Sequence, residues 1–179
     1  MKPKHFILTF LTLLVSITVS AYTFTVDGIY YKILSETDKT VAVVNNMRYN
    51  SYSSSCYEGD VIIPNTVTYA GISYDVTEIG GWAFYQCKLT DITIPNSITS
   101  IGKYAFGGCY NLTSIEIPSS VSEINDYTFS GCSGLTRVNI PNSITTIGKG
   151  AFNGCIKLTS VSIPNSVTEI GEYAFAGCI

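Results

Sequence analysis

Cysteine is the residue in this chain best placed to do chemistry. Cys87, Cys109, Cys132, Cys155 and Cys178 fall at one position of a recurring segment, with Cys56 outside it. In an oxidising compartment six cysteines suggest a disulfide framework. A column of thiols argues otherwise. Neighbouring coils of a stacked β structure lie ~4.8 Å apart, whereas a disulfide needs Cβ atoms ~3.8 Å apart with converging vectors. The spacing therefore predicts a ladder of buried free thiols at positions 87, 109, 132, 155 and 178, packing as small apolar groups. A zinc site needs thiolates that converge on one point, and a ladder spreads them along a line. The sequence does not place Cys56.

The other chemical groups are sparse. His5 is the only histidine and lies in the N-terminal segment read below as a signal peptide. Without it the chain cannot build a Ser-His-Asp triad, a Cys-His pair or a histidine metal site. The carboxylates Glu116, Glu123, Asp126, Glu169 and Glu172 read as scattered over different positions, with nothing to suggest a paired-carboxylate glycosidase. Phosphate loops, dinucleotide fingerprints and calcium nonapeptides are not found. The expectation is a protein with no catalytic residues, cofactor or metal.

What positions these groups is a repeat. Residues 94–116 read IPNSITSIGKYAFGGCYNLTSIE, 117–139 read IPSSVSEINDYTFSGCSGLTRVN and 140–162 read IPNSITTIGKGAFNGCIKLTSVS. A fourth copy opens at 163 and runs to the end at 179. A fixed period of 23 residues is the mark of a solenoid, in which no coil buries its apolar side alone. Within a coil, Ile115 and Ile117 alternate with polar residues, which predicts a half-buried strand. Pro118 should end it, and a turn follows. A second extended piece is expected at Val121–Ile124, and Tyr-x-Phe-x-x-Cys suits one or two tight helical turns.

The elements Leu112-Thr113-Ser114-Ile115, Ile117-Pro118, Ser120-Val121 and Gly131-Cys132 recur together. Their pattern, LTSIxIPxSVTxIGxxAFxGC, resembles the BspA-like subfamily of leucine-rich repeats over residues 61–179. The opening (VDGIYYKIL, KTVAVV, GDVIIP) is similar to secreted members from Bacteroidetes. The resemblance implies a β-rich α/β solenoid, a right-handed leucine-rich-repeat array of 23-residue coils. It also implies a cell-surface protein that binds proteins or mediates adhesion to host or other bacterial cells.

The chain divides into three expected parts. Lys2 and Lys4, the apolar run Phe6–Val19 and Val19-Ser20-Ala21 read as a signal peptide, residues 1–21, cleaved after Ala21 and directing secretion. The 14-residue run is shorter than the ~18–20 residues a membrane span needs. Residues 22–58 read as an N-terminal β cap. Its strands are Thr23–Val26, Ile29–Leu34 and Thr40–Val44, its hairpin turn is Asp27-Gly28, and a loop covers 45–58. Residues 59–179 read as the solenoid, with its first strand at Asp60–Pro64. The first coil is longer than the rest, and Ala70-Gly71 suggests a hairpin within 68–75. An abrupt stop at Ile179 reads as a truncated array. Removing Lys2 and Lys4 leaves 8 basic against 13 acidic residues. That acidic balance argues against nucleic acid as a partner.

Two surfaces are candidates for binding. One is the outward face of the strands: Thr90, Asp91 and Thr93; Thr113, Ser114 and Glu116; Thr136, Arg137 and Asn139; Thr159, Ser160 and Ser162. It is polar, small and nearly neutral, and suits a protein partner or simply a soluble β surface. The other is an aromatic column, Trp82, Tyr104, Tyr127 and Tyr173, interrupted at Gly150. Such a column suits glycan capture or packing between coils. A structural spacer within a larger surface protein is the remaining reading.

Overall fold

The computed structural model describes residues 23–45 and 56–179. The expected signal peptide lies outside the described residues, as do positions 46–55 of the expected loop.

The first strands follow the alternation in the sequence. β1 (Thr23–Val26), β2 (Ile29–Ser35) and β3 (Thr40–Val44) form an antiparallel meander. The β1–β2 turn has both central residues at positive φ, Asp27 at 49° and Gly28 at 79°, the geometry that matches strand twist in two-residue hairpins. Phe24, Tyr31, Ile33, Val41 and Val43 point inward and share one core with the coils.

β4 (Glu58–Ile62) starts two residues before the first solenoid strand expected at Asp60–Pro64. The extra length of the first coil is a hairpin, as its Ala70-Gly71 turn suggests. β5 (Thr66–Tyr69) pairs antiparallel with β6 (Ile72–Ile79). β6 also pairs parallel with β3, so the meander and the first coil belong to one sheet. β7 (Lys88–Thr93) pairs parallel with β4. The later coils contribute β8 (Ser100–Ile101), β9 (Ser114–Glu116), β10 (Glu123–Ile124), β11 (Arg137–Asn139), β12 (Thr146–Ile147) and β13 (Glu169–Ile170).

No helix occurs among the described residues, which corrects the helical part of the α/β expectation. The Tyr-x-Phe-x-x-Cys stretch forms tight turns, and its hydrogen bonds show why a helix does not follow. Ala105, Gly107 and Cys109 donate to the carbonyls three residues back, Gly102, Tyr104 and Phe106. The intervening amides of Tyr104, Phe106 and Gly108 donate to Asp126, Thr128 and Ser130 in the next coil. Half of the amides are committed to the neighbouring coil, so an intracoil ladder cannot propagate.

The core is a column of phenylalanines. Phe84, Phe106, Phe129, Phe152 and Phe175 stack with centroids 5.3 Å apart and planes within 10°. The first four are fully buried, and each is worth ~1.5–3 kcal/mol of burial.

One coil breaks the pattern. Gly80, Gly102, Gly148 and Gly171 hold a position where coils approach closely. A Cβ on Gly102, Gly148 or Gly171 would lie 2.5–2.6 Å from the backbone nitrogen of Gly81, Asp126 or Lys149. The third coil has Asn125 there. Gly102, Gly148 and Gly171 donate their N–H to Ile79, Ile124 and Ile147. At Asn125 the side-chain amide makes the bond instead, 2.9 Å to the Ile101 carbonyl. The adjacent Tyr104–Asp126 backbone bond is stretched to 3.3 Å, against 2.8–3.0 Å at the matching positions. No ladder joins β8 to β10. Asn125→Ala should therefore lower unfolding stability by ~1–2 kcal/mol by removing that bond. Asn125→Gly, which lets the backbone close up, should be at least as stable as the parent. Urea unfolding of the three proteins checks this.

Candidate functional site

The strand face is built by the segments that follow each cysteine. The step from Cys87 to Leu89 is one residue shorter than that from Cys109 to Leu112. β7 therefore starts at Lys88 and pairs back onto β4, whereas later coils insert a turn before a three-residue strand. The result is two separate parallel pairs, β4–β7 and β9–β11, rather than one continuous sheet. Thr159, Ser160 and Ser162 lie beyond β11 in a segment that forms no strand. Eleven of the twelve face residues are exposed, and Ser114 is half-buried. Some are tied internally: Thr90 Oγ1 donates to Asp60 Oδ1 at 2.7 Å, and Thr136 Oγ1 to the Thr113 carbonyl at 3.0 Å. Glu116 and Arg137 are the charged members of the β9–β11 pair.

The aromatic column is brought together only in part. Trp82 stacks on Tyr104 at 5.6 Å and Tyr104 on Tyr127 at 4.8 Å, with planes within 10°. Tyr127 then covers Gly150, where a Cβ would lie 2.5 Å from Cε1 of the ring. Tyr173 is cut off beyond this gap and is 66% exposed. All these positions have positive φ, from 55° to 59°, a region costly for bulky side chains. The conformation aims each amide at the next coil, as in Tyr127 N–H to the Lys149 carbonyl at 2.8 Å. Because the rings cover one another's faces, Tyr104 and Tyr127 present mainly edges, and Trp82, 48% exposed, is the open end.

Beside the column runs a feature that reading the carboxylates as scattered missed. Lys103, Asp126, Lys149 and Glu172 share one repeat position and alternate in sign. Lys103 Nζ meets Asp126 Oδ2 at 2.7 Å, and Lys149 Nζ meets Glu172 Oε2 at 2.9 Å. The Lys149 amide donates to Asp126 Oδ1 at 3.0 Å. These bonds hold the Asp126 and Glu172 carboxyls below their usual range and raise both lysines. The pairs are exposed, so their worth to stability is small. Aligning the repeats by residue sign would have found them.

The cysteines divide differently from the expectation. Cys87 is not a free thiol: it forms a disulfide with Cys56, Cα atoms 5.1 Å apart. Cys56 stands eight residues before Pro64, as Cys87 does before Pro95, so the bridge joins equivalent positions of two neighbouring coils whose strands β4 and β7 pair in parallel, and coil spacing did not exclude it. Cys109, Cys132, Cys155 and Cys178 remain thiols. Each donates to the carbonyl of a phenylalanine in the preceding coil, from Cys109 to Phe84 at 3.0 Å through Cys178 to Phe152 at 3.4 Å. Among the described residues no cluster of acids, cysteines and histidine is placed to hold a metal, and no helix is long and apolar enough to cross a membrane.

The repeat geometry has counterparts. The family described as BspA type leucine rich repeat region matches residues 46–179 in six copies. The chain belongs to this family. A leucine-rich repeat protein from Bacteroides ovatus superposes with a TM-score of 0.75 at 39% identity, over 86% of this chain and 38% of that one. The T. pallidum leucine rich repeat protein gives 0.71 at 30% identity, over 88% of this chain and 68% of that one. The pneumococcal vaccine antigen PcpA shares the fold, with a TM-score of 0.62 at 18% identity, over 88% of this chain and 48% of its own. This chain thus spans about two fifths of the length of the B. ovatus relative. No curated protein matches the sequence.

The buried thiols make stability pH-dependent. Burial pushes Cys109 up to about 12 and raises Cys132, Cys155 and Cys178 as well. Thiols in the unfolded chain ionise near ~8.5. A group whose folded pKa is raised supplies its stability below the unfolded value and loses it above. Stability should be flat below pH 8 and fall above ~8.5, by at most ~1.4 kcal/mol per thiol for each pH unit. Thermal scans from pH 7 to 10 check this, and Cys109→Ala should flatten the slope.

Proposed function

We propose that this chain is a non-catalytic, secreted or cell-surface leucine-rich-repeat protein that binds protein partners on host or other bacterial cells. The observation that carries the reading is the β9–β11 face. It is exposed, rigidly backed by the buried coil core, and carries Glu116 and Arg137 on adjacent strands. A flat array of short polar side chains around two opposite charges suits a protein surface, where charged rim groups set orientation and on-rate. Family membership supports protein interaction. The N-terminal basic and apolar run supports secretion. In this reading β1–β3 acts as a cap, covering the first coil so that its apolar side is not exposed.

A glycan-binding reading has less support, because the stacked rings cover the faces a sugar would use. Of the column, Trp82 at its open end and Tyr173, isolated beyond Gly150, keep exposed rings. The spacer reading requires a further domain and no recognition by the coils.

The test is a binding screen of residues 22–179, first shown to be folded by circular dichroism, against extracellular-matrix proteins, bacterial surfaces and polysaccharides. A protein hit weakened about tenfold or more by Arg137→Ala or Glu116→Ala, and unaffected by Trp82→Ala, is expected. A polysaccharide hit abolished by Trp82→Ala would replace this reading with the glycan one. A folded protein without hits would favour the spacer.

A further inference from the structure

The two strand segments of the first coil are covered differently. β3 of the N-terminal meander pairs with β6. β4 has one partner among the described strands, β7, and its other edge is open. Hydrogen bonds at the two ends of β4 fix which groups face that edge. The Tyr57 carbonyl accepts from the Lys88 amide, and the Ile63 amide donates to the Thr93 carbonyl, both at 3.1 Å. Alternation along the strand then turns the N–H and C=O of Glu58, Asp60 and Ile62 away from β7. The side chains of these three residues point outward, and Ile62 is 71% exposed.

A groove follows this edge. Its volume is about 470 Å³, and the β1–β2 turn at Val26–Ile29 forms its opposite wall. That size suits a recognition site, since ligand clefts run from ~300 to ~1,000 Å³. Val26, Ile29 and Val67 give it an apolar lining. Its charged residues are Asp27, Glu58 and Asp60, and no Lys or Arg lines it. Glu58 meets Lys88 at 2.8 Å, and Asp60 accepts from Thr90 through Oδ1. Asp27 has no ion pair among the described residues.

We infer that β4 accepts an added strand from a partner protein, an extended segment in which Lys or Arg alternates with β-branched apolar residues. The main-chain groups of Glu58, Asp60 and Ile62 supply the ladder, and alternate side chains supply the specificity. Apolar side chains of the segment turn inward onto Val26, Ile29 and Val67. Basic side chains turn outward beside Glu58 and Asp60, where opposite charges on adjacent strands attract. Asp27 on the facing turn adds to the same field, and an acidic segment is repelled. Residues 46–55 of this chain carry one basic residue, Arg48, and no Val or Ile, so they do not fit that pattern. Asn45 and Cys56, which bracket them, are tied to Trp82 and Cys87 at the Tyr57 end of β4. The groove continues ~20 Å along the strand from Glu58 to Pro64. This site is separate from the β9–β11 face and does not rest on it.

The probes are a blocked peptide of alternating Lys and Val and its counterpart of alternating Glu and Val. Binding to the full chain is measured by calorimetry, and amide exchange is followed at Glu58, Asp60 and Ile62. The Lys peptide should bind about tenfold tighter or more than the Glu peptide and should slow exchange at these amides. Ile62→Pro removes a donor on the open edge, where proline is tolerated. It should weaken binding about tenfold while circular dichroism stays unchanged. The Lys peptide N-methylated at every second amide should also lose binding, a test that leaves the protein intact. Arg137→Ala should have no effect, which separates this site from the strand face. Equal binding of the two peptides, binding of neither, or full binding by the N-methylated peptide would overturn the inference. Strong protection of the Asp60 and Ile62 amides before peptide is added would also overturn it, because the chain itself would then cover the edge.

Discussion

An amide that must bond to another coil governs this structure. In the turn segment of every coil, alternate N–H groups point along the stack, as at Phe106 to Thr128 and Phe129 to Ala151. This commitment prevents a helix, forces the aromatic position to positive φ and fixes the coil separation. At that separation phenylalanine rings stack at 5.3 Å and thiols reach the carbonyl of the preceding coil. Local geometry and core packing thus share one cause.

The array tolerates variation where the side chain can take over the backbone's role. Asn125 shows this: it replaces a glycine at a close approach, and its amide reaches Ile101 where a backbone N–H would have done so. Thr128, buried where the neighbouring coils carry Ala105 and Ala151, is satisfied in a similar way, donating to the Asn125 carbonyl at 2.8 Å. Both departures fall in one coil, and they leave a gap in the ladder between β8 and β10. The gap lies on the side of the stack where the glycines make their close approach, so β9 and β11 still pair and keep Glu116 and Arg137 in register.

Much of this was legible in the sequence because the period is strict. The buried row Leu112, Ile115, Ile117, Val121, Ile124 and Phe129 follows from the apolar spacing, and both two-residue hairpins follow from their turn residues. What was not legible depended on relations across the period. The Cys56–Cys87 bridge joins equivalent positions of neighbouring coils, a match hidden because they stand 31 residues apart rather than 23. The break in the strand face came from a single missing residue after Cys87, whose effect on pairing is a matter of three-dimensional register. The charge ladder was readable in principle, since Lys103, Asp126, Lys149 and Glu172 stand 23 residues apart, but opposite signs hide it from a search for similar residues.

Hydrogen exchange resolved to single amides tests the central claim most directly. If intercoil bonding by alternate amides holds the array, Phe106, Gly108, Phe129, Gly131 and Phe152 should be strongly protected. Ser119 and Asn142, turn residues whose amides make no backbone hydrogen bond among the described residues, should exchange orders of magnitude faster. Equal protection of the two sets, or rapid exchange at Phe106 and Phe129, would contradict the account.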